Sequence, residues 1–211
     1  MRRFAHIDAG ALRAVLAIAA IAVLTSACAM GGSRRAGTID VQPGMGFTVA
    51  EPALVDDATR ALFDEAILKL RTGDAEAGVA LLEQVVEAAP GLTVVHIDLG
   101  IGHAQAGDLD AAEKSLRTAV SLNPKHPMAH NELGIVLRKQ GKFKKARDSY
   151  EKALSIYPDF HFARRNLAIL CDVYLLDSGC AIKHYEIYGE LVPEDEAVAM
   201  WLADLRNRKG D

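Results

Sequence analysis

Much of what marks an enzyme or a nucleic-acid binder is missing from this chain. It has no glycine-rich phosphate loop, no Ser/His/Asp set and no paired acid motif, so an enzyme is not expected, nor a cofactor. It has no excess of positive charge: 24 Lys and Arg stand against 28 Asp and Glu, an unpromising balance for nucleic acid. It has no apolar run of comfortable membrane-spanning length, since the run Ala14–Leu24 is too short. Cysteine is scarce, at three residues. What remains is a half-apolar chain of 211 residues, enough for a substantial core in one domain.

What is present is a period. Pro90, Pro124 and Pro158 are 34 residues apart, and Gly73, Gly107 and Gly141 keep the same step 17 residues upstream. A fixed period of this size means units that cannot bury their apolar faces alone and must stack. Within one period, Val94–Ala106 has apolar residues at helical spacing and is broken by Gly107-Asp108. Leu109–Leu122 is a second helical run, stopped by Asn123-Pro124. Each period therefore predicts a helix hairpin. Ala112 and Ala119, like Ala146 and Ala153, are small, as are Gly100 and Gly134, which follow Leu99 and Leu133. Small residues let paired helices approach, and Leu116 and Tyr150 fill the space between them.

Leu-Gly, then Ala, a bulky residue, Ala and Pro over 34 residues resembles the tetratricopeptide repeat family, across Asp56–Pro193. The resemblance implies an all-α, right-handed solenoid of about four hairpins, at about 59–92, 93–126, 127–160 and 161–193. A capping helix and tail at 194–211 would carry Val198, Trp201, Leu202 and Leu205 on one face. There are departures. His96, His103 and His130 stand where the family prefers large rings, and the first unit has Ala66 and Gly78 in place of Gly and Ala. The fourth unit ends at Pro193, 35 residues after Pro158, with Gly179 only 14 before it, which predicts a displaced turn.

The first 27 residues look like a secretory signal of the lipoprotein type: Arg2, Arg3 and Arg13, the apolar run, then Leu24-Thr25-Ser26-Ala27-Cys28, similar to a bacterial lipobox. The resemblance implies acylation of Cys28 and, with Ala29 following, a periplasmic place on the outer membrane. The mature chain would carry 21 basic and 27 acidic residues, net −6. Residues 28–55, rich in Gly, Pro and Ser, read as a flexible tether. Phe47, Val49, Leu54 and Val55 fit a tether poorly, and packing on the first repeat or in its groove is the alternative.

Candidate sites follow. Cys171 and Cys180 flank the irregular turn. They are a candidate disulfide if the preceding helix stops near Tyr174, and two buried thiols if it runs on to Leu176. His126 and His130 are four apart, but Pro127 begins a helix between them, so no metal site is expected. Arg138, Lys139, Lys142, Lys144, Lys145 and Arg147 form a basic cluster, either a solvated helix-end face or a docking point for an anionic partner. The family's peptide groove, carried over by position, would be lined by Phe63, Ile67, Val94, Ile97, Ile101, Asn131, Ile135, Arg138, Phe162 and Arg165. The family's carboxylate-clamping set is absent, as Phe63, Ile67 and Met128 stand in its places. A segment with apolar anchors and one acidic end is the partner expected. The whole reads as a lipid-anchored periplasmic scaffold or adaptor for a protein partner, with pilus or secretion assembly named first. A chaperone for exported proteins and a self-oligomerising structural subunit are the alternatives.

Overall fold

A computed structural model describes residues 38–42, 46–50 and 56–209, with the side chain of residue 209 left aside. The expected signal peptide and Cys28 lie outside the described residues. Two strands, β1 (Thr38–Gln42) and β2 (Gly46–Ala50), precede α1 (Asp57–Arg71), α2 (Ala75–Ala88), α3 (Thr93–Gln105), α4 (Leu109–Leu122), α5 (Pro127–Lys139) and α6 (Phe143–Ile156). Then come α7 (His161–Ile169) with a π turn at Leu170–Tyr174, α8 (Ser178–Leu191) and α9 (Glu196–Lys209). The helices pair as α1–α2, α3–α4, α5–α6 and α7–α8, each pair packing on the next, and α9 covers the end. Among the described residues the fold is an all-α solenoid with one small hairpin of strands.

Each turn inside a helix pair is set by the same few residues. Gly73, Gly107 and Gly141 have φ of 86°, 89° and 74°, a region open to glycine without a Cβ penalty. The next residue caps the second helix in the first two pairs: Asp74 and Asp108 accept from the backbone N–H three residues on, at 3.4 and 2.9 Å, and Asp177 does so in the fourth pair at 3.0 Å. In the third pair Lys142 takes that place and makes no side-chain cap. Packing obeys the small-residue pattern. A Cβ on Gly100 would lie 2.5 Å from Leu116 Cγ, and one on Gly134 would lie 2.5 Å from Tyr150 Cε1. The first pair reverses the arrangement, with Gly78 against Leu70.

Between pairs, one position recurs as a clamp. His96 Nε2 lies 3.1 Å from Pro90 O, His130 Nε2 2.9 Å from Pro124 O, and Arg164 Nε donates to Pro158 O at 3.1 Å. Each ties the start of a hairpin to the proline turn six residues before it, so the inter-repeat carbonyl is satisfied by a side chain. His96 and His130 are thereby structural, and His103 is half-buried near the end of α3.

The fourth pair departs from expectation. Its turn is not displaced, because it falls at Leu176, 17 residues before Pro193, and Gly179 lies within α8. Leu176 adopts φ of 52°, a conformation that costs a branched L-residue about 1 kcal/mol. The residue that lengthens this repeat to 35 is absorbed upstream, where Leu175 N–H bonds Leu170 O and Asp177 N–H bonds Cys171 O. A π turn is how a helix takes up one extra residue without losing its axis. Chain reversal after Tyr174 brings Cys171 and Cys180 together as a disulfide, with 5.8 Å between Cα atoms.

Residues 28–55 are not all tether. Thr38–Gln42 and Gly46–Ala50 pair antiparallel, with Ile39 opposite Val49 and Val41 opposite Phe47. Apolar and polar residues alternate, so these four share one face, and Val41 and Phe47 pack against the main core.

Candidate functional site

The repeat step places large apolar side chains in a row. Val94, Met128 and Phe162 are 34 apart in the first turns of α3, α5 and α7, and are 42%, 38% and 55% exposed. Beside them Leu92, His126 and Phe160 cap the same helices and are buried. Phe47 of the β-hairpin packs against this row, its ring edge-on to His126, Tyr157 and Phe160 with centroids 6.0, 5.7 and 5.7 Å away.

Phe47 and Met128 are shared by two cavities. The first, about 480 Å³, is lined by Phe47, Val49, Arg60, Phe63, Val85, Leu92, Val94, Val95, Ile97, Asp98, His126 and Met128. The second, about 490 Å³, is lined by Gly46, Phe47, Met128, Tyr157, Asp159, Phe160, His161, Phe162 and Leu191. A concave, mostly apolar site with a few polar groups is the usual form of a binding pocket. Phe63, Val94 and Ile97 line the first cavity and Phe162 the second. Ile97 itself is 1% exposed and belongs to the core as much as to the lining. Ile67 is half-buried, and Ile101 and Ile135 pack on the core.

The polar groove residues are engaged elsewhere. Asn131 is buried, donates to Glu132 Oε1 at 2.9 Å and accepts from Asn166 Nδ2 at 3.0 Å. The Arg138 guanidinium lies 5.5 Å from the Tyr174 ring centroid and donates to its hydroxyl at 3.3 Å. Arg165 lies over Trp201 at 5.5 Å. Rings of the fourth repeat and the capping helix lie against both arginines, and Arg165 is exposed beside Trp201. The basic cluster is also partly neutralised. Lys142 Nζ reaches Glu113 Oε2 at 2.6 Å, and Arg147 pairs with Glu151 and Asp177 at 2.9 and 3.5 Å. Lys142, with Arg117 after it, holds the Glu113 carboxyl down at about 2.

Two charges line the first cavity, the exposed Arg60 and the half-buried Asp98. Burial, and then the neighbouring Glu132 carboxylate, push its pKa up to about 6, against a weaker pull from Arg71. Glu132, one repeat on, is also raised by burial, which outweighs its bond from Asn131. His126 is pushed down to about 4 by burial, then by His130, so it brings no positive charge to the cavity at neutral pH. Its Nδ1 accepts from Ala129 N–H at 3.4 Å as the cap of α5. Asp98 and Glu132 escaped the sequence reading, although their 34-residue spacing next to Ile97 and Asn131 was there to be seen. Among the described residues no cluster of three or more His, Cys, Asp or Glu is arranged for a metal, and no helix is long and apolar enough to cross a membrane.

The fold and its face define a class: a helix-hairpin solenoid of the kind that holds proteins together. Residues 97–159 match the family model of the tetratricopeptide repeat, and the helix pairs on either side continue the same solenoid. Among solved structures it is similar to MamA (residue 41 to the end) from Desulfovibrio magneticus RS-1, with TM-score 0.66 and 23% identity over 75% of this chain and 89% of that one. It is similar to pilF of Pseudomonas aeruginosa, with TM-score 0.67 and 20% identity over 73% and 70%. It also matches an O-GlcNAc transferase of Thermobaculum terrenum, with TM-score 0.59 and 28% identity over 65% of this chain but only 27% of that one. Curated proteins offer no match.

Proposed function

We propose that the protein is a scaffold or adaptor that seats an apolar segment of a partner protein in the cavities beside Phe47. Its place would be the periplasmic side of a bacterial outer membrane, held by a lipid on Cys28, in an envelope machine of which pilus or secretion assembly stands first. The observation that carries this reading is the 34-residue row Val94, Met128 and Phe162, exposed over two cavities of about 480 and 490 Å³. Three large apolar side chains in line are more than scattered exposure accounts for, and helical repeats present such rows to extended or helical segments. The leader's likeness to a lipobox supports the address.

The test is crosslinking and affinity capture from native membranes with the intact protein, a Val94→Glu variant and a Phe162→Glu variant. Both residues are exposed, so charge there spares the core. A small, defined set of envelope proteins lost in either variant is expected. Retention of the same set in both variants would remove the cavities from recognition. Displacement by any unrelated unfolded protein would instead identify a chaperone.

A further inference from the structure

We propose that the first cavity selects partner segments in which a bulky apolar side chain lies within about four residues of a Lys or Arg, the apolar group filling the cavity and the cation meeting Asp98. The inference rests on the reading of the cavity as a segment-binding site and adds the charge of the segment.

The argument is one of charge complementarity across an apolar wall. Asp98 lines the cavity, and among the described residues it has neither a hydrogen bond nor an ion pair. A carboxylate held in a largely apolar site without a partner is costly, and a cation brought by a ligand relieves that cost. Acidic neighbours outweigh basic ones along the helix row that carries it. Asp64 and Glu132 occupy the same repeat position one period before and one after, which makes an acidic row along the first helices of three successive pairs. Glu132 raises and Arg71 only weakly opposes the Asp98 pKa, and Arg60 stands on the lining as an exposed side chain. His126, on the same lining, is neutral above its pKa of about 4. The cations that sequence mapping assigns to this face, Arg138 and Arg165, lie on Tyr174 and Trp201. An acidic segment end would meet like charge here, and a basic one its complement.

The test uses the full-length protein in detergent and fluorescein-labelled ten-residue peptides in a Gly/Ser/Gln host. Four series carry Trp with Lys, Trp with Gln, Trp with Glu, and Ala with Lys, at spacings of one to four residues. At pH 7.5 the best Trp-Lys peptide is expected to bind at least about 10-fold tighter than its Trp-Glu and Ala-Lys counterparts. Asp98→Asn should bring Trp-Lys and Trp-Glu to within about 2-fold and leave Trp-Gln unchanged. Lowering the pH of the unmodified protein from 7.5 to 5 should do the same without any substitution, as Asp98 takes up a proton. Equal binding of Trp-Lys and Trp-Glu, both abolished by Val94→Glu, would overturn the charge selection and leave the segment-binding site standing. No Trp-Lys binding at millimolar peptide would sink both.

Discussion

The two ends of the repeat face are built from the same period and end up with opposite characters. At the N-terminal end the face keeps an open apolar cavity, lined by the first two pairs, the β-hairpin and the start of α5, with Asp98 on its lining. In the last two, Arg138 and Arg165 turn onto Tyr174 and Trp201, and a covalent bond links Cys171 to Cys180. One inserted residue brings Tyr174 to Arg138, and the capping helix brings Trp201 to Arg165. The insertion makes the π turn at Leu170–Tyr174, which closes with the Tyr174 ring tilted at 39° to Phe143, centroids 4.9 Å apart, and within reach of Arg138.

The comparison can be pressed hardest at the core, where both ends should fail alike. Leu116 and Tyr150 are completely buried between paired helices. Leu116→Ala and Tyr150→Ala should each lower the unfolding free energy by about 3–4 kcal/mol in denaturant titrations. A much smaller loss at one of them would show that the two ends do not share one cooperative core. The disulfide separates the ends more cleanly. The double change Cys171→Ser and Cys180→Ser removes a short loop constraint and should cost about 2–3 kcal/mol. Hydrogen exchange should rise in α8 and α9, while Trp-Lys peptide affinity stays within about 2-fold.

Asp98 gives the reverse effect at the other end. Its folded pKa of about 6 lies above the ordinary 3.8, so the folded state binds the proton more tightly. The stability this group contributes is full below about pH 4 and is lost as pH rises through 6. Asp98→Asn should therefore raise stability by about 1–2 kcal/mol at pH 8 and by nothing at pH 4, read as the pH dependence of the denaturation midpoint. A variant no more stable than the parent at pH 8 would mean that the carboxylate is satisfied. Smallest of all, Arg165→Gln should cost about 0.5–1 kcal/mol through its lost contact with Trp201 and leave peptide binding unchanged. A loss of binding there would return the arginine to the groove.

Much of the architecture was legible because repeat signals are redundant. The 34-step prolines, the positive-φ glycines and the pairs Gly100–Leu116 and Gly134–Tyr150 each specify the same hairpin. Three features were not. Gly179 drew attention to the wrong turn, because Leu176 accepts a left-handed conformation that the sequence gives no reason to expect. The β-hairpin lay under a Gly- and Pro-rich composition, although Ile39, Val41, Phe47 and Val49 alternate with polar neighbours. The arginines were placed by repeat position, which says where a Cα lies and not where a long side chain ends; neighbouring rings decided that. Asp98 and Glu132 were overlooked because the inherited pattern of this face has no fixed place for acids.

The central claim is that the cavities beside Phe47, and not the arginine-and-ring end of the same face, hold the partner. The most direct test puts a photo-crosslinking benzoylphenylalanine at position 63 or at position 165 of the full-length chain, irradiates native membranes and identifies the adducts. Position 63 lines the cavity, and position 165 lies beside the capping helix. The account predicts one discrete adduct from position 63, suppressed by a Trp-Lys peptide, and none from position 165. Adducts from position 165 alone, or the same set from both, would contradict it.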